Sequence, residues 1–307
     1  MHHLFFRCKF AASINRIIEK YRHIKKILLL IAAVGLLMGT IACSDNDEPK
    51  RGDGVFTVNT SMINHIVDQN SGQVLGISST HNKLTIDTTK HQASIELNYN
   101  DGSGNKTVSL SGITARPVRL GFYAFSAPAG SPLKDFSGYV DFNEGSIRYY
   151  YTTAEGLRVV STIADVFFLK TKNTISYLDT TPTTVMENTM YQFTLDPSSS
   201  TAIVKVMGIV HAKEMKYFIN ITASSVPMEV TRNGYTFAGN NLATRAVFRN
   251  WTDSVGQPTL KSSDKYPFKT FNATVDLEND TIMTTFMMGD SASVVATGRT
   301  YPDYTAY

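Results

Sequence analysis

The side chains best suited to hold a ligand lie together in Arg249-Asn250-Trp251-Thr252-Asp253, which contains the only tryptophan of the chain. An indole ring can stack on the axial hydrogens of a sugar ring, while guanidinium, amide and carboxylate groups hydrogen-bond to its hydroxyls. We therefore predict Arg249, Asn250, Trp251 and Asp253 as ligand-binding residues, with a glycan as the expected ligand. The alternative is that Trp251 is a loop residue that fills the protein core.

Catalytic patterns are mostly missing from the sequence. It contains no His-Glu-x-x-His, no Gly-x-Ser-x-Gly, no phosphate-binding glycine loop and no EF-hand loop. The histidines that follow residue 43 are not paired at the spacing of metal ligands, and they are His65, His81, His91 and His211. The sequence therefore indicates no metal and no cofactor.

Four acidic residues deserve a separate test, because a pair of carboxylates is the machinery of many glycoside hydrolases. They are Asp141 and Glu155, with Asp276 and Asp290 at corresponding places later in the chain. Asp141 stands between two apolar residues of a predicted strand, so it is expected to face outward, and Glu155 lies in the turn Ala154-Glu155-Gly156. These positions favour a structural role, and no catalytic residue is predicted.

Cys43 is the other residue with recognisable chemistry. It follows the small residue Ala42 and a mostly apolar run from Ile27 to Met38, which begins directly after two lysines. Such a run is too short to span a bilayer, which takes about 20 residues, but it suits the apolar core of a signal peptide. The alternative is a signal anchor that merely contains a cysteine.

This segment resembles the signal of bacterial lipoproteins, in which the cysteine after a small residue is lipidated and becomes the new N-terminus. Thr40 stands where that family prefers leucine. The acidic stretch that follows resembles the surface-export signal of Bacteroidota lipoproteins, and its residues are Ser44, Asp45, Asp47 and Glu48. The resemblance implies a palmitate-type lipid on Cys43 and an outer-membrane location facing the extracellular side. The alternative for the acidic stretch is a solvated tether.

The charge balance changes once the leader is set aside. The chain has 29 Lys and Arg and 26 Asp and Glu, and residues 1–42 hold seven of the bases and one acid. The remainder has 29 − 7 = 22 bases and 26 − 1 = 25 acids, a net charge near −3. The sequence therefore offers no support for nucleic-acid binding. Since the two cysteines are Cys8 and Cys43, the body has no thiol for a disulfide, a zinc site or a nucleophile.

The body of the chain shows the alternation of apolar and polar residues that is typical of strands, as in Leu84-Thr85-Ile86-Asp87. Short segments rich in Gly, Asn, Asp and Pro separate these runs, which predicts hairpins. The expected fold class is all-β and mostly antiparallel. In the run Tyr149-Tyr150-Tyr151, alternation predicts one buried face with Tyr149 and Tyr151 and an exposed ring at Tyr150.

One stretch departs from this pattern. Between Ser61 and Leu75, the apolar residues Met62, Ile63, Ile66 and Val67 recur at helical spacing. Ser61 could cap the first turn. The sequence therefore predicts a helix here.

An internal duplication is the strongest organising feature. A shift of 135 aligns residues 136–162 with 271–297, so that Phe136, Val140, Asp141, Ile147, Val159, Val160 and Thr162 recur as Phe271, Val275, Asp276, Ile282, Val294, Val295 and Thr297. Upstream, we match Ile86–Thr89 with Leu178–Thr181, Gly112-Ile113 with Gly208-Ile209, and Phe122 with Phe218. We predict two copies, about 83–170 and 175–300, that form related sandwich- or barrel-like halves. The alternative is chance similarity between β-rich stretches.

The predicted organisation is a signal peptide (1–42), a flexible acidic tether (43–54), an N-terminal half (55–172) and a C-terminal half (173–307) with an insertion at 226–268. The first functional hypothesis is a lipid-anchored envelope protein without evident catalysis that binds a glycan or another envelope component. The second is a fimbrillin-like adhesin or assembly subunit, and the third is a β-sandwich hydrolase. The expected partners are the membrane, through the N-terminal lipid, and a glycan or an envelope protein.

Overall fold

A computed structural model describes residues 54–143, 145–168, 170–178, 183–187, 189–210, 218–250, 259–290 and 292–299. These residues form β-strands, turns and no helix, and neighbouring strands run antiparallel. Within the described ranges, no helix is long and apolar enough to cross a membrane. The all-β, antiparallel fold class predicted from the sequence is confirmed.

The strands follow one another along the chain in two groups. The first group is β1 (Val55–Asp68), β2 (Val74–Asp87), β3 (Gln92–Asn100), β4 (Asn105–Arg119), β5 (Phe122–Ser126), β6 (Lys134–Asp141), β7 (Ser146–Thr152) and β8 (Leu157–Thr162). The second group is β9 (Asp165–Phe168), β10 (Lys170–Tyr177), β11 (Thr184–Glu187), β12 (Met190–Asp196), β13 (Thr201–Ile209), β14 (Ile219–Thr231), β15 (Gly234–Leu242), β16 (Thr244–Asn250), β17 (Thr259–Ser263), β18 (Phe268–Asp276), β19 (Thr281–Met288) and β20 (Ala292–Arg299).

The first group forms a closed barrel. Strands β1 to β8 pair in order, and β8 also pairs with β1. Alternate residues of each strand point inward, where apolar side chains fill the barrel. Among them are Met62, Leu84, Ile95, Phe125, Tyr149 and Tyr151. This interior is a packed core, so a ligand has to bind on the outside of the barrel.

The second group forms a barrel-like sheet. Its main path is β11-β10-β20-β19-β18-β15-β14-β13-β12-β9, and β16 and β17 form a branch on β14. Strands β9 and β10 are separated along the chain by residue 169 alone, yet β9 pairs with β12 and β10 pairs with β20. Two neighbouring chain segments therefore lie near opposite ends of this path, which curves the sheet around its own core.

The two halves share their hairpin register. In the barrel, Val140 of β6 faces Ile147 of β7, and in the second sheet Val275 of β18 faces Ile282 of β19. The next hairpin has the same register in both halves. Tyr151 of β7 faces Val159 of β8, and Phe286 of β19 faces Val294 of β20. These pairs differ by the same 135 positions that relate the two sequences. The duplication predicted for this part of the chain is confirmed as a repeated sheet.

The upstream sequence matches were wrong in detail. Gly112, with φ 67°, forms a bulge in β4 where the register with β3 shifts, and its counterpart in β14 is Ser225, with φ 55°. The predicted equivalence with Gly208 fails because Gly208 lies in β13, which corresponds to β3. The match of Ile86–Thr89 with Leu178–Thr181 also fails, because the turn after β2 corresponds to the turn after β12.

The boundaries differ from the predicted ones too. Strands β9 and β10 belong to the second sheet, so the chain leaves the barrel at 163–164 and not at 172–173. Strands β14 and β15 correspond to β4 and β5, since Tyr235 faces Val275 as Tyr123 faces Val140. Of the predicted insertion 226–268, only β16, β17 and the residues that join them lack a counterpart in the barrel.

The predicted helix between Ser61 and Leu75 is absent, because strand β1 continues to Asp68. Met62 and Ile66 point into the barrel, whereas Ile63 packs in the core of the second sheet. A strand that is buried on both faces loses the alternation of apolar and polar residues. The apolar spacing therefore resembled that of a helix.

Two further predictions fail for the same reason. Tyr150 was expected to be exposed, but it is buried in the cluster that also contains the core of the second sheet. Asp141 was expected to face solvent, but its carboxylate is buried and accepts a hydrogen bond from Arg119 Nη2 at 2.5 Å. Contacts with other strands bury both side chains. These contacts cannot be read from the alternation of residues along a single strand.

Candidate functional site

The second sheet has an inner end that touches the barrel. Here Arg148 Nη1 and the hydroxyl of Tyr150 both donate to Asp280 Oδ1, the latter at 2.7 Å. Arg158 Nη2 donates to Glu278 Oε2 at 2.9 Å. These contacts bring the turn between β18 and β19 against strands β7 and β8. The inner end is therefore occupied by the barrel.

His65 adds a buried hydrogen bond to the same interface. Its Nε2 lies 2.6 Å from the carbonyl oxygen of Thr231, so Nε2 carries the proton and donates. Burial lowers the pKa of His65, and the hydrogen bond to Thr231 opposes this shift only in part. The edge of the Tyr235 ring packs against the imidazole at 5.7 Å between ring centroids. His65 is thus a neutral structural group that joins the two sheets.

Of the four carboxylates considered for catalysis, Asp141 and Asp276 hold turns, whereas Glu155 and Asp290 are exposed. Asp141 Oδ1 accepts the backbone N–H of Asn143 at 2.9 Å. At the matching place in the second sheet, Asp276 Oδ1 accepts the N–H of Asn279 at 2.9 Å. Such bonds fix a tight turn through its first residue. Among the described residues, His, Cys, Asp and Glu form no group of three that could hold a metal ion.

Buried tyrosines also have a structural role. Desolvation raises the pKa of Tyr149, Tyr151 and Tyr191 far above the ordinary value for a phenol. Each hydroxyl therefore keeps its proton at physiological pH. These phenols lie in packed interiors, which makes them unsuited to exchange protons with a substrate.

The outer end of the second sheet lies opposite the barrel and carries the long connections. Strand β15 pairs with β14 and β18, and after residue 243 the chain continues as β16, which pairs with β14 and β17. Strands β15 and β16 therefore form one arm of a long hairpin, and strands β17 and β18 form the other arm. The last described pair of this hairpin is Asn250↔Thr259, and the end of the hairpin at this pair is called the tip here.

Two of the four predicted ligand-binding residues lie at this tip. Arg249 and Asn250 end strand β16, with side chains outside the described part of the structure. Trp251 and Asp253 lie outside the described residues. The structure thus brings Arg249 and Asn250 to the outer end of the second sheet. The lipidation and export residues, Cys43, Ser44, Asp45, Asp47 and Glu48, also lie outside the described residues.

Sequence analysis missed an exposed aromatic residue beside this tip. Phe218 leaves 64% of its surface exposed and directly precedes Ile219, which faces Phe248 of β16. The sequence match assigned Phe218 to the place of Phe122, a buried residue. The structural counterpart of Phe122 is Gly234, since each faces the aspartate that ends the next strand of its sheet.

The outer end thus combines the exposed ring of Phe218 with a hairpin tip at which Arg249 and Asn250 lie. Leu178, 58% exposed, follows strand β10 at the same end. The arrangement provides apolar faces for stacking and polar groups for hydrogen bonds. No protein-family model matches the chain, and no curated protein or solved structure is detectably similar to it.

Proposed function

We propose that the protein is a lipoprotein of the outer membrane, anchored through Cys43 and facing the extracellular side, that binds a glycan at the outer end of its second sheet. The anchor is supported by the leader-like segment before Cys43. Binding is supported by the exposed ring of Phe218 beside the end of strand β16, and by the sequence that follows this strand, which begins with Trp251. A glycan fits because stacking on aromatic rings and hydrogen bonds to polar neighbours are the two contacts that sugars make.

The observation that carries this proposal is the long hairpin itself. In the barrel, residues 127–133 join β5 directly to β6. In the second sheet, the equivalent strands β15 and β18 are extended by β16 and β17. The extension is not needed to form the repeated sheet. A duplicated half that carries an added hairpin, with polar and aromatic residues in the sequence between its strands, favours a binding role for that hairpin.

The packing of both interiors supports a site on the surface. Apolar side chains fill the barrel, and the second sheet encloses its own apolar cluster, which includes Phe193, Phe237, Phe271 and Phe286. A sugar cannot enter either core without displacing these residues. The exposed outer end needs no such displacement.

We expect Trp251→Ala and Phe218→Ala to weaken glycan binding while leaving the thermal midpoint nearly unchanged. Each aromatic contact contributes about 0.5–1.5 kcal/mol, which corresponds to a loss of up to about tenfold in affinity. A glycan array would identify the ligand, and titration of the variants with that ligand would measure the loss.

Leu120→Ala is a suitable control, since Leu120 is an exposed residue of the barrel. It should bind the glycan as the wild type does. If Trp251→Ala instead lowers the thermal midpoint as much as a core truncation, the indole is part of the core. If both aromatic variants bind with unchanged affinity, the outer end is not the glycan site.

A further inference from the structure

One end of the barrel has exposed apolar side chains at the point where the chain enters. This end, called the tether end here, consists of the start of β1 and the turns that follow β2, β4 and β6. Its exposed apolar residues are Val55, Phe56, Leu120 and Phe142, and Leu120 alone leaves 77% of its surface exposed. The opposite ends of these strands, and the side of the barrel that contacts the second sheet, are not part of the tether end.

The apolar residues of the tether end are held together. The rings of Phe56 and Phe142 lie 6.1 Å apart, and Phe142 also meets Tyr123 edge-on at 6.2 Å. Asn143 Nδ2 donates to the carbonyl oxygen of Leu120 at 2.7 Å, which joins the turn after β6 to the turn after β4. The surface is therefore a fixed patch formed by several turns and not a set of independent side chains.

The chain before the barrel is fixed to the same end. Thr88, in the turn after β2, accepts the N–H of Gly54 at 2.9 Å and donates its hydroxyl to the Gly54 carbonyl oxygen at 3.0 Å. Cys43 precedes Gly54 by eleven residues, a length that extends at most about 40 Å. Anything attached to Cys43 therefore lies within about 40 Å of the tether end.

Among the described residues of this end, two acidic side chains are paired with basic ones. Asp87 pairs with Lys90 at 3.3 Å, and the buried carboxylate of Asp141 pairs with Arg119 at 2.5 Å. The lysine and the arginine both remain largely exposed. Aromatic and aliphatic side chains surrounded by exposed basic groups are the composition that enters the interfacial layer of a membrane.

We propose that the tether end of the barrel lies against the bilayer that holds the lipid of Cys43, with Val55, Phe56, Leu120 and Phe142 in contact with the interfacial layer. This inference rests on the proposed lipidation of Cys43. Contact at the tether end would fix the orientation of the barrel relative to the membrane plane. A lipid and an apolar patch that act together also bind a membrane more firmly than the lipid alone.

The test uses the absence of cysteine after Cys43. Leu120→Cys, made in the full chain and purified in its lipidated form, receives an environment-sensitive fluorophore and is reconstituted into vesicles of phosphatidylethanolamine and phosphatidylglycerol. Leu178→Cys, labelled in the same way, is the matched control, since Leu178 is exposed at the outer end of the second sheet. We expect a blue shift and a severalfold rise in emission at position 120 only, with quenching by lipids that carry a quencher in the headgroup region.

Other outcomes overturn the proposal. Water-like emission at position 120 in protein that floats with the vesicles would show that the tether end stays in solvent. A blue shift that appears without vesicles and grows with protein concentration would identify a second copy of the chain as the occupant. If the purified protein carries no lipid and does not float with the vesicles, the lipidation of Cys43 is contradicted instead. Failure of the anchor is therefore distinguishable from failure of the docked orientation.

Discussion

Phe286→Ala should lower the free energy of unfolding by about 3–5 kcal/mol, the range found when a buried phenylalanine is truncated. Phe286 is only 2% exposed, and its ring packs against Phe268 at 4.9 Å and Phe271 at 6.0 Å between centroids. Alanine would leave a cavity between these rings that the sheet cannot close. Urea denaturation of the variant beside the wild type measures the loss.

Phe218→Ala is the matched control for this measurement, because it removes the same side chain from an exposed position. Its effect should stay within about 0.5 kcal/mol. Tyr151→Ala, at the equivalent place in the barrel, should be as damaging as Phe286→Ala, since Tyr151 is fully buried beside Tyr99. A Tyr151 variant as stable as the wild type would contradict the equivalence of the two halves.

Both truncations should act on one unfolding transition. Ile63, Tyr150 and Val160 of the barrel belong to the same buried cluster as the core of the second sheet. Side chains that share a core lose their contacts together, so neither half keeps its packing when the other unfolds. Circular dichroism and tyrosine fluorescence should therefore report the same midpoint.

Asp280→Asn should lower the free energy of unfolding by about 3 kcal/mol, the lower end of the range for breaking a buried ion pair. Arg148 is buried, and Asp280 is the carboxylate that pairs with it, with 19% of that side chain exposed. Asparagine has nearly the same shape as aspartate and tolerates the positive φ of 54° at this position. The substitution therefore removes the charge while the backbone is kept.

Glu278→Gln is the control, because the ion pair of Glu278 with Arg158 is more open to solvent. Its loss should cost about 0–1 kcal/mol. Denaturation in urea at constant salt compares the two variants. Equal stability of Asp280→Asn and the wild type would mean that the barrel and the second sheet do not depend on this pair.

The repeated sheet could be predicted because its determinants are local. Alternation identified the strands, and the shift of 135 aligned Val140 and Ile147 with Val275 and Ile282, which face each other within their hairpins. Residues on facing strands of one hairpin are close in sequence, so a duplication preserves their spacing. The hairpins between β6 and β8 and between β18 and β20 could therefore be found without a structure.

Features that depend on contact between the halves could not be predicted. The first sheet and the second meet through Ile63, His65 and Tyr150, residues that are far in sequence from their partners. Burial from this side hid the strand pattern of β1 and suggested a helix. It also covered Tyr150, which alternation along β7 placed in solvent.

The candidate binding site was found in part. Residue type indicated Arg249, Asn250, Trp251 and Asp253, and the register of β16 with β17 places the first two at the described end of a long hairpin. Phe218 was not selected, since the chain before β14 differs in length between the copies and the alignment shifted. A position that depends on the register of two distant strands is not encoded in local sequence.

Fatty-acid labelling of Cys43 tests the account of this protein most directly. The full chain and two variants, Cys43→Ala and Cys8→Ala, would be expressed in a bacterium that lipidates exported proteins. The cells would be grown with a fatty-acid probe. We predict that the wild type and Cys8→Ala incorporate the probe and that Cys43→Ala does not, because Cys43 is the single cysteine at the proposed cleavage site. Probe on Cys43→Ala, or none on the wild type, would contradict the lipid anchor and with it the proposed placement at the membrane.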